Sequence, residues 1–229
     1  MKIAALISGG KDSLYAAYKV GKEHDIVCLI ALESEREDSW VFHTANVSLV
    51  KIQAKAMKLP LIYLKTSGIK EEEVKDLKKA IKTAKEKYKI QGIVSGAIKS
   101  NYQKQRVEKV CKELKISSLT PLWHVDEEEY LKNLIKDKFE VIVTLISAYG
   151  LNKELLAKKI DNKLIEKLKE IHEKHKINIS GEGGEFDSLV LDCPLFYKKI
   201  KIEKAYIQME NEFSGKYLIK KARLINKSL

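Results

Sequence analysis

The sequence predicts an α/β fold, a doubly wound parallel sheet followed by a smaller α+β unit, and three observations carry that prediction. Short apolar runs alternate with stretches of helical periodicity through the first half, the mark of strand–helix–strand units. A glycine pair, Gly9-Gly10, closes the first apolar run, where such folds turn from strand into helix. Past Pro121 the rhythm changes and ends in two alternating runs that read as a hairpin.

The elements follow in order. Residues 2–7 are a continuous apolar strand, and residues 12–21 carry the first helix. A second strand covers 26–32, a helix 46–58, and Pro60 introduces a third strand at 61–64. Between 71 and 88, Val74, Leu77, Ile81, Ala84 and Tyr88 recur at spacings of three and four, one face of an amphipathic helix. Residues 92–95 form a fourth strand, 99–114 a helix, and 117–120 a short fifth strand. In the second half, helices at 127–136 and 161–174 flank an apolar strand at 141–148. A strand at 189–193 follows. Ile200, Ile202, Tyr206 and Met209 then sit in an alternating run that returns over 217–224 after a turn at 211–215. The boundary is placed near 121–123, dividing the chain into residues 1–121 and 122–229.

Composition narrows the function classes. The 229 residues hold 43 Lys or Arg against 32 Asp or Glu, a formal charge of +11. A hydrophobic fraction of 45% supports a core, and three Pro with eleven Gly exclude a disordered or collagen-like chain. No apolar run approaches the roughly 18 residues of a membrane span. The apolar stretch after Lys2 is too short for a signal-peptide core, so a soluble, cytoplasmic protein is expected. Cys28, Cys111 and Cys193 stand far apart with no Cys-x-x-Cys, against a zinc ribbon, a thioredoxin-type site or a disulfide framework. Arg36, Arg106 and Arg223 are the sole arginines, and bidentate readers of phosphate or base edges are usually Arg. The positive charge therefore reads as a Lys- and Glu-rich thermophile surface, with no nucleic-acid partner expected.

Ser8-Gly9-Gly10-Lys11-Asp12-Ser13 is the first chemical motif. A helix N-terminus presents unpaired N–H groups and a positive dipole end, and glycines let the backbone approach a phosphate. Ser8 and Ser13 add hydroxyls, Lys11 adds a full charge, and Asp12 serves as a cap or a Mg²⁺ ligand. The run is not a Walker loop, because Ala5 stands where the first Gly is required and Asp12 where Ser or Thr must follow the Lys. A capped Gly-rich turn is the plain alternative.

The second motif is Gly181-Glu182-Gly183-Gly184-Glu185-Phe186-Asp187-Ser188, with three glycines and three carboxylates within seven residues. The glycines allow sharp or positive-φ backbone and would hold Glu182, Glu185 and Asp187 close enough for repulsion to raise at least one pKa. Such a cluster suits Mg²⁺ on phosphates, an ammonium substrate or another positive group. A solvated acidic loop leading into the strand at 189 is the alternative. Residues 95–100 fall at the carboxyl end of the fourth strand, beside the first, where these sheets open their ligand crevice. Arg106, further along the next helix, either reaches a phosphate or pairs with a neighbouring acid such as Glu108. His43 either contacts nucleotide or substrate or is structural. His24, His172 and His175 offer no metal constellation.

The hexapeptide resembles the pyrophosphate loop, Ser-Gly-Gly-x-Asp-Ser, of the N-type ATP pyrophosphatases. These are HUP-like enzymes of the adenine nucleotide α-hydrolase type that cleave ATP between its α- and β-phosphates. Glu-Gly-Gly-Glu-Phe-Asp-Ser at 182–188 is similar to the hallmark of the diphthine–ammonia ligase family within that superfamily. So are the stretch from Ser95 to Glu108, Phe42-His43-Thr44 with Gln53-Ala54, and Pro121-Leu122-Trp123. The similarity spans essentially the whole chain and matches a short, archaeal-type form.

The resemblance implies ATP and Mg²⁺ in a pyrophosphatase domain (1–121), with substrate held by the α+β domain (122–229). It places Ser8, Gly9, Gly10, Lys11, Asp12, Ser13, His43, Ser95, Gly96 and Arg106 on the nucleotide. It places Tyr102, Gln103, Trp123, Gly183, Gly184 and Ser188 on the substrate, and assigns catalysis to Lys11, Asp12, Glu182, Glu185 and Asp187. The implied reaction is the last step of diphthamide formation on a histidine of translation elongation factor 2. The diphthine carboxylate attacks the α-phosphorus of ATP, pyrophosphate leaves an acyl-adenylate, and ammonia displaces AMP. No residue pattern for a glutaminase is present, so free ammonium is the expected nitrogen source. Trp123 or Tyr149 would offer the trimethylammonium a cation–π face worth about 0.5–2 kcal/mol, and Glu185→Gln is expected to spare ATP binding while abolishing amide formation. A tRNA-modifying, thiolase-like pyrophosphatase is the competing enzyme, with Cys111 and Cys193 as its conceivable cysteines. A non-catalytic ATP sensor is the competing binding protein. The reading leaves room for a homodimer.

Overall fold

A computed structural model of the protein describes residues 1–34, 46–67 and 69–227 and contains two sheets. The first has five strands, β1 (Lys2–Leu6), β2 (Asp25–Ser34), β3 (Leu61–Thr66), β4 (Gly92–Val94) and β5 (Ser117–Leu119). They lie in the order β3-β2-β1-β4-β5 with every neighbouring pair parallel, the doubly wound α/β arrangement the sequence predicts. The order reverses between β1 and β4, which makes the carboxyl ends of these two strands the place for a ligand. Helices α1 (Lys11–Val20), α2 (Val50–Met57), α3 (Lys70–Tyr88) and α4 (Asn101–Leu114) supply the crossovers.

The sheet is buried on both faces, as its continuous apolar strands require. Ala4, Cys28, Ile30 and Ile93 pack on one side against Leu77 and Ile81 of α3 and Val107 and Val110 of α4. Ile3, Ala5 and Leu29 face the other side with Leu14 of α1 and Val50 and Ala54 of α2. Successive residues of β1 thus alternate between two cores, the period-two rule of a strand.

The second core does not stop at residue 121. It runs on into α5 (Glu127–Lys136), α6 (Asn162–His175) and a four-stranded antiparallel sheet, through Leu131, Leu134, Val143, Ile146, Leu168 and Val190. That sheet orders β7 (Phe186–Asp192), β6 (Glu140–Ser147), β9 (Ser214–Asn226) and β8 (Lys198–Met209) side by side. β8 and β9 form the expected hairpin, paired from Lys198↔Asn226 to Met209↔Gly215.

Three departures from the sequence reading bear on the site. The second helix begins at Val50, after a 3₁₀ turn over Val47–Leu49. Asn46 does not open it but bridges to β9, its Nδ2 donating to Tyr217 O at 2.9 Å and its Oδ1 accepting from Ile219 N at 3.1 Å. α4 begins at Asn101, where Ser100 Oγ caps Gln103 N, because the amides of residues 98–100 have another partner. Phe186, Asp187 and Ser188, read as loop, are strand: they pair with Ile146, Leu145 and Val143 of β6.

Candidate functional site

At the switch point a cavity of about 840 Å³ opens between the two sheets. The loop Ser8–Ser13, the segment after β4, and Gln103 and Arg106 of α4 form its floor. Residues 181–184 and 186–188, with Ser147, Glu210, Ser214 and Lys216, form the facing wall.

The loop is built around Gly9, whose φ of +89° suits glycine. Ser8 N donates to Ser13 Oγ at 3.2 Å, and Ser13 Oγ to Gly10 O at 3.2 Å. Gly10 caps α1 with no side-chain hydrogen bond, which leaves helix-end donors for an anion. Two elements pin the loop through one atom. Gly9 O accepts from Gln53 Nε2 and from Val190 N, both at 3.0 Å, and the wholly buried Gln53 also donates to Val190 O at 2.9 Å.

Lys11 is only 2% exposed. Its amide donates to Ser188 Oγ at 3.1 Å, and its ammonium lies 3.1 Å from the Asp12 carboxylate and 5.2 Å over the Phe186 ring. Asp12 Oδ1 also accepts from the buried Tyr130 hydroxyl at 2.8 Å. Burial first, then the Asp12 charge, pushes the Tyr130 pKa well above its ordinary value, so the phenol stays a donor.

On the other side of the switch point, Ser95 Oγ is buried with no partner among the described residues. Gly96 lets two backbones touch, since a Cβ there would stand 2.6 Å from Asp12 C and Ser13 N. Arg106 lies over the Tyr102 ring at 3.1 Å and donates to Tyr102 O at 3.3 Å, while its buried Nε has no partner among the described residues. Glu108 pairs with Lys104 at 3.6 Å, and Arg106 is among the residues lining the cavity. Buried donors aimed at a cavity with nothing to bond are what a bound anion would satisfy.

The three acids of the second motif have separate surroundings. Glu182 Oε1 accepts from the amides of Ile98, Lys99 and Ser100 at 3.3, 2.9 and 3.0 Å, sitting where α4 would otherwise hold an anion. Burial raises its pKa and the Asp12 charge adds to that, against the amides of Lys99 and Ser100, which lower it. Nearby, Glu127 Oε2 accepts from Ser180 N and Oγ at 2.8 and 2.9 Å and its Oε1 pairs with Lys99. Together Glu182 and Glu127 clasp residues 180–182 onto the start of α4. Glu185 is not among the residues lining the cavity; its Oε1 accepts from Asn178 N and Nδ2, each at 2.7 Å, and its buried Oε2 has no partner among the described residues. Asp187 lines the wall from β7.

The sequence-predicted Ser8, Gly10, Lys11, Asp12, Ser13, Ser95, Gly96, Gln103, Arg106, Glu182, Gly183, Gly184, Asp187 and Ser188 all meet on this cavity. Gly9 supports the loop from behind, and Tyr102 supports Arg106. Trp123 is not on the wall: its ring abuts His124 and lies under Lys104 Nζ at 4.3 Å. His43 lies outside the described residues. Sequence reasoning gave no role to Tyr130, Gln53 or Glu127. Tyr130 is followed by Leu131 and Leu134 on an amphipathic helix and looks like plain core. Gln53, a polar residue on the apolar face of α2, was the one legible signal. Among the described residues no group of three acids, His or Cys gathers as a metal site, and no helix is long and apolar enough to cross a membrane.

These features define the class: a doubly wound α/β protein with a cavity at its switch point, lined by the Gly-rich loop and closed by a second, antiparallel unit. The chain belongs to the diphthamide synthase family, a family of ligases. Family models for the diphthamide synthase N-terminal and C-terminal domains match residues 1–118 and 126–225. It is 36% identical over 225 residues to the diphthine–ammonia ligase of Rattus norvegicus, covering 89% of this chain and 83% of the relative. The human enzyme of the same name is 35% identical over 229 residues, covering 90% and 85%. That of Schizosaccharomyces pombe is 34% identical over 217 residues, 87% of this chain but 36% of the longer relative. A solved structure described as a predicted subunit of a tRNA methyltransferase from Methanocaldococcus jannaschii aligns over 85% of this chain and 98% of its own, at 17% identity and a TM-score of 0.42.

Proposed function

We propose that this protein amidates the diphthine carboxylate on translation elongation factor 2, spending ATP and taking nitrogen from ammonium. One observation carries the reading: the buried Lys11 and its glycine loop face the Gly-rich acidic segment across a single cavity. A carboxylate is a poor acceptor for ammonia, and forming a mixed anhydride with AMP makes it reactive. The carboxylate oxygen attacks the α-phosphorus and the bond to the β,γ-pyrophosphate breaks. Lys11, the helix-end amides and the Ser8 and Ser13 hydroxyls stabilise the departing charge, with Ser95 Oγ and Arg106 as further donors. Mg²⁺ commonly takes one or two carboxylates plus substrate phosphates. Asp12 fits that habit, since a carboxylate offers about four lone pairs and Tyr130 and Lys11 leave room. The ion would neutralise charge on the phosphates.

Ammonia then attacks the acyl carbon and AMP leaves. Ammonium must first lose a proton, and a buried carboxylate with a raised pKa, Glu182, is suited to take it. Asp187 contributes negative charge on the substrate side, and Gly183, Gly184 and Ser188 offer backbone and hydroxyl contacts. Glu185 shapes the turn from outside. Of the two aromatic candidates for the trimethylammonium, Trp123 already faces Lys104, whereas Tyr149 is 66% exposed, packed 4.6 Å from Phe213. It follows two residues after Ser147, which lines the cavity. An elongation-factor substrate puts the enzyme in the cytoplasm.

A thiolase is disfavoured by the cysteines. Cys111 and Cys193 lie in different cores, and burial pushes their thiols up to about 11 and about 12. Incubation with ATP, ammonium and either diphthine-bearing elongation factor or bulk tRNA tests the proposal. AMP formed only with the modified factor supports it; AMP formed only with tRNA, or with neither, refutes it.

A further inference from the structure

Tyr130 reaches the phosphate loop from the second half of the chain. It lies on α5, fully buried, with its ring 5.5 Å from Tyr15, which itself packs on Tyr18 and Phe139 at 5.9 and 5.3 Å. Its hydroxyl makes a 2.8 Å hydrogen bond to Asp12 Oδ1. Asp12 in turn holds the Lys11 ammonium at 3.1 Å. Adjacent residues on a helix point about 100° apart, so Asp12 bonds Lys11 only from a restricted set of rotamers. Tyr130 fixes that rotamer.

We infer that Tyr130 is a positioning residue of the phosphate loop: its hydroxyl orients the Asp12 carboxylate and, through it, the Lys11 ammonium for an incoming nucleotide. The inference rests on the reading that residues 8–13 take ATP. A charge held in place before the ligand arrives needs no reorganisation on binding, which is where such a chain of bonds acts.

The test is Tyr130→Phe, which keeps the ring in its cluster and removes only the hydroxyl. ATP affinity is measured by calorimetry in Mg²⁺ without the second substrate, and KM for ATP and for ammonium in turnover. Expected is a roughly tenfold weaker ATP affinity, about 1.4 kcal/mol, with KM for ATP raised and KM for ammonium unchanged. Tyr15→Phe is the structural control. It removes a tyrosine hydrogen bond of the same length, to Asp137 Oδ2 at 2.8 Å, in the same aromatic cluster, and should lower Tm without touching ATP affinity. In an Asp12→Ala background, where the hydroxyl has no carboxylate to orient, Tyr130→Phe should cost nothing further. Wild-type ATP affinity in Tyr130→Phe, an equal loss in Tyr15→Phe, or full additivity with Asp12→Ala each overturns the inference. A wild-type protein that binds no ATP overturns instead the reading beneath it.

Discussion

Gly96→Ala tests whether the two sides of the switch point form one rigid cradle. A Cβ at residue 96 would lie 2.6 Å from Asp12 C and Ser13 N and 2.7 Å from Asp12 O. Real Cβ atoms essentially never come under 3.0 Å and ordinary contact begins at 3.4 Å, so the backbone of one side must retreat by 0.4 Å to become tolerable and by 0.8 Å to relax fully. The obstacle is backbone rather than a side-chain tip, so no rotamer change relieves it. Overpacking of this kind costs about 1–3 kcal/mol. For a chain of this size each kcal/mol lowers Tm by about 2–4 °C, giving a loss of roughly 2–12 °C. Function should suffer more than stability. The displaced atoms open α1, and a misplacement near 1 Å in a catalytic array costs about a hundredfold. Calorimetric unfolding and AMP release under saturating ammonium measure the two effects. A Gly96→Ala protein with wild-type Tm and AMP release within twofold of wild type would refute the argument that these backbones touch.

The remaining predictions concern single charges. The raised pKa of Glu182 means that its stabilising contribution is complete below the ordinary carboxylate range and is lost as pH rises through its folded value. Glu182→Gln, which keeps an acceptor for the three amides, should therefore raise Tm at pH 7 while slowing amide formation, with the Tm gain vanishing near pH 4; a gain equal at both pH values sinks it. Glu127 behaves oppositely: burial alone would raise its pKa, but Lys99 and Ser180 outweigh that and hold it below the usual range. Its contribution is present above that range and lost as pH falls through its folded value, so Glu127→Gln should lower Tm at pH 7 and cost progressively less as the same melts are taken into acid. Lys11→Met should weaken ATP binding roughly tenfold to a hundredfold, the range of a charged hydrogen bond of about 1.5–3 kcal/mol, as read by calorimetry. Glu185→Gln should leave kcat within about twofold, because Gln still accepts from Asn178 N and the residue is off the cavity wall; a hundredfold loss would restore Glu185 to the chemistry.

What the sequence made legible follows from local physics. Strand alternation, the amphipathic face of α3 and the glycine pair at the end of β1 are each encoded within a few neighbouring residues, and the parallel sheet follows from their order. The phosphate loop and the acidic segment were visible for the same reason. Their meeting across one cavity was not visible, because it depends on β7 lying against α1, elements some 170 residues apart, as in the bond from Lys11 N to Ser188 Oγ. Proximity in sequence misled as well. Glu182, Glu185 and Asp187 looked like one repelling cluster, yet burial raises the Glu182 pKa first and the charge that adds to it is that of Asp12. Tyr130 was hidden because an apolar helical face records burial, and its one polar atom finds its partner on another element.

The Gly9 carbonyl, held by both Gln53 and Val190, has a bearing on descent. A loop of this kind is often thought of as a cassette that recombination can lend to new partners. Here the cassette borrows a hydroxyl from Ser188, a strand amide from Val190 and a phenol from Tyr130. A graft of the first 121 residues onto a foreign second half would arrive with these anchors missing and with an apolar face uncovered. An exchange of either half alone would therefore take away part of what holds the loop in shape.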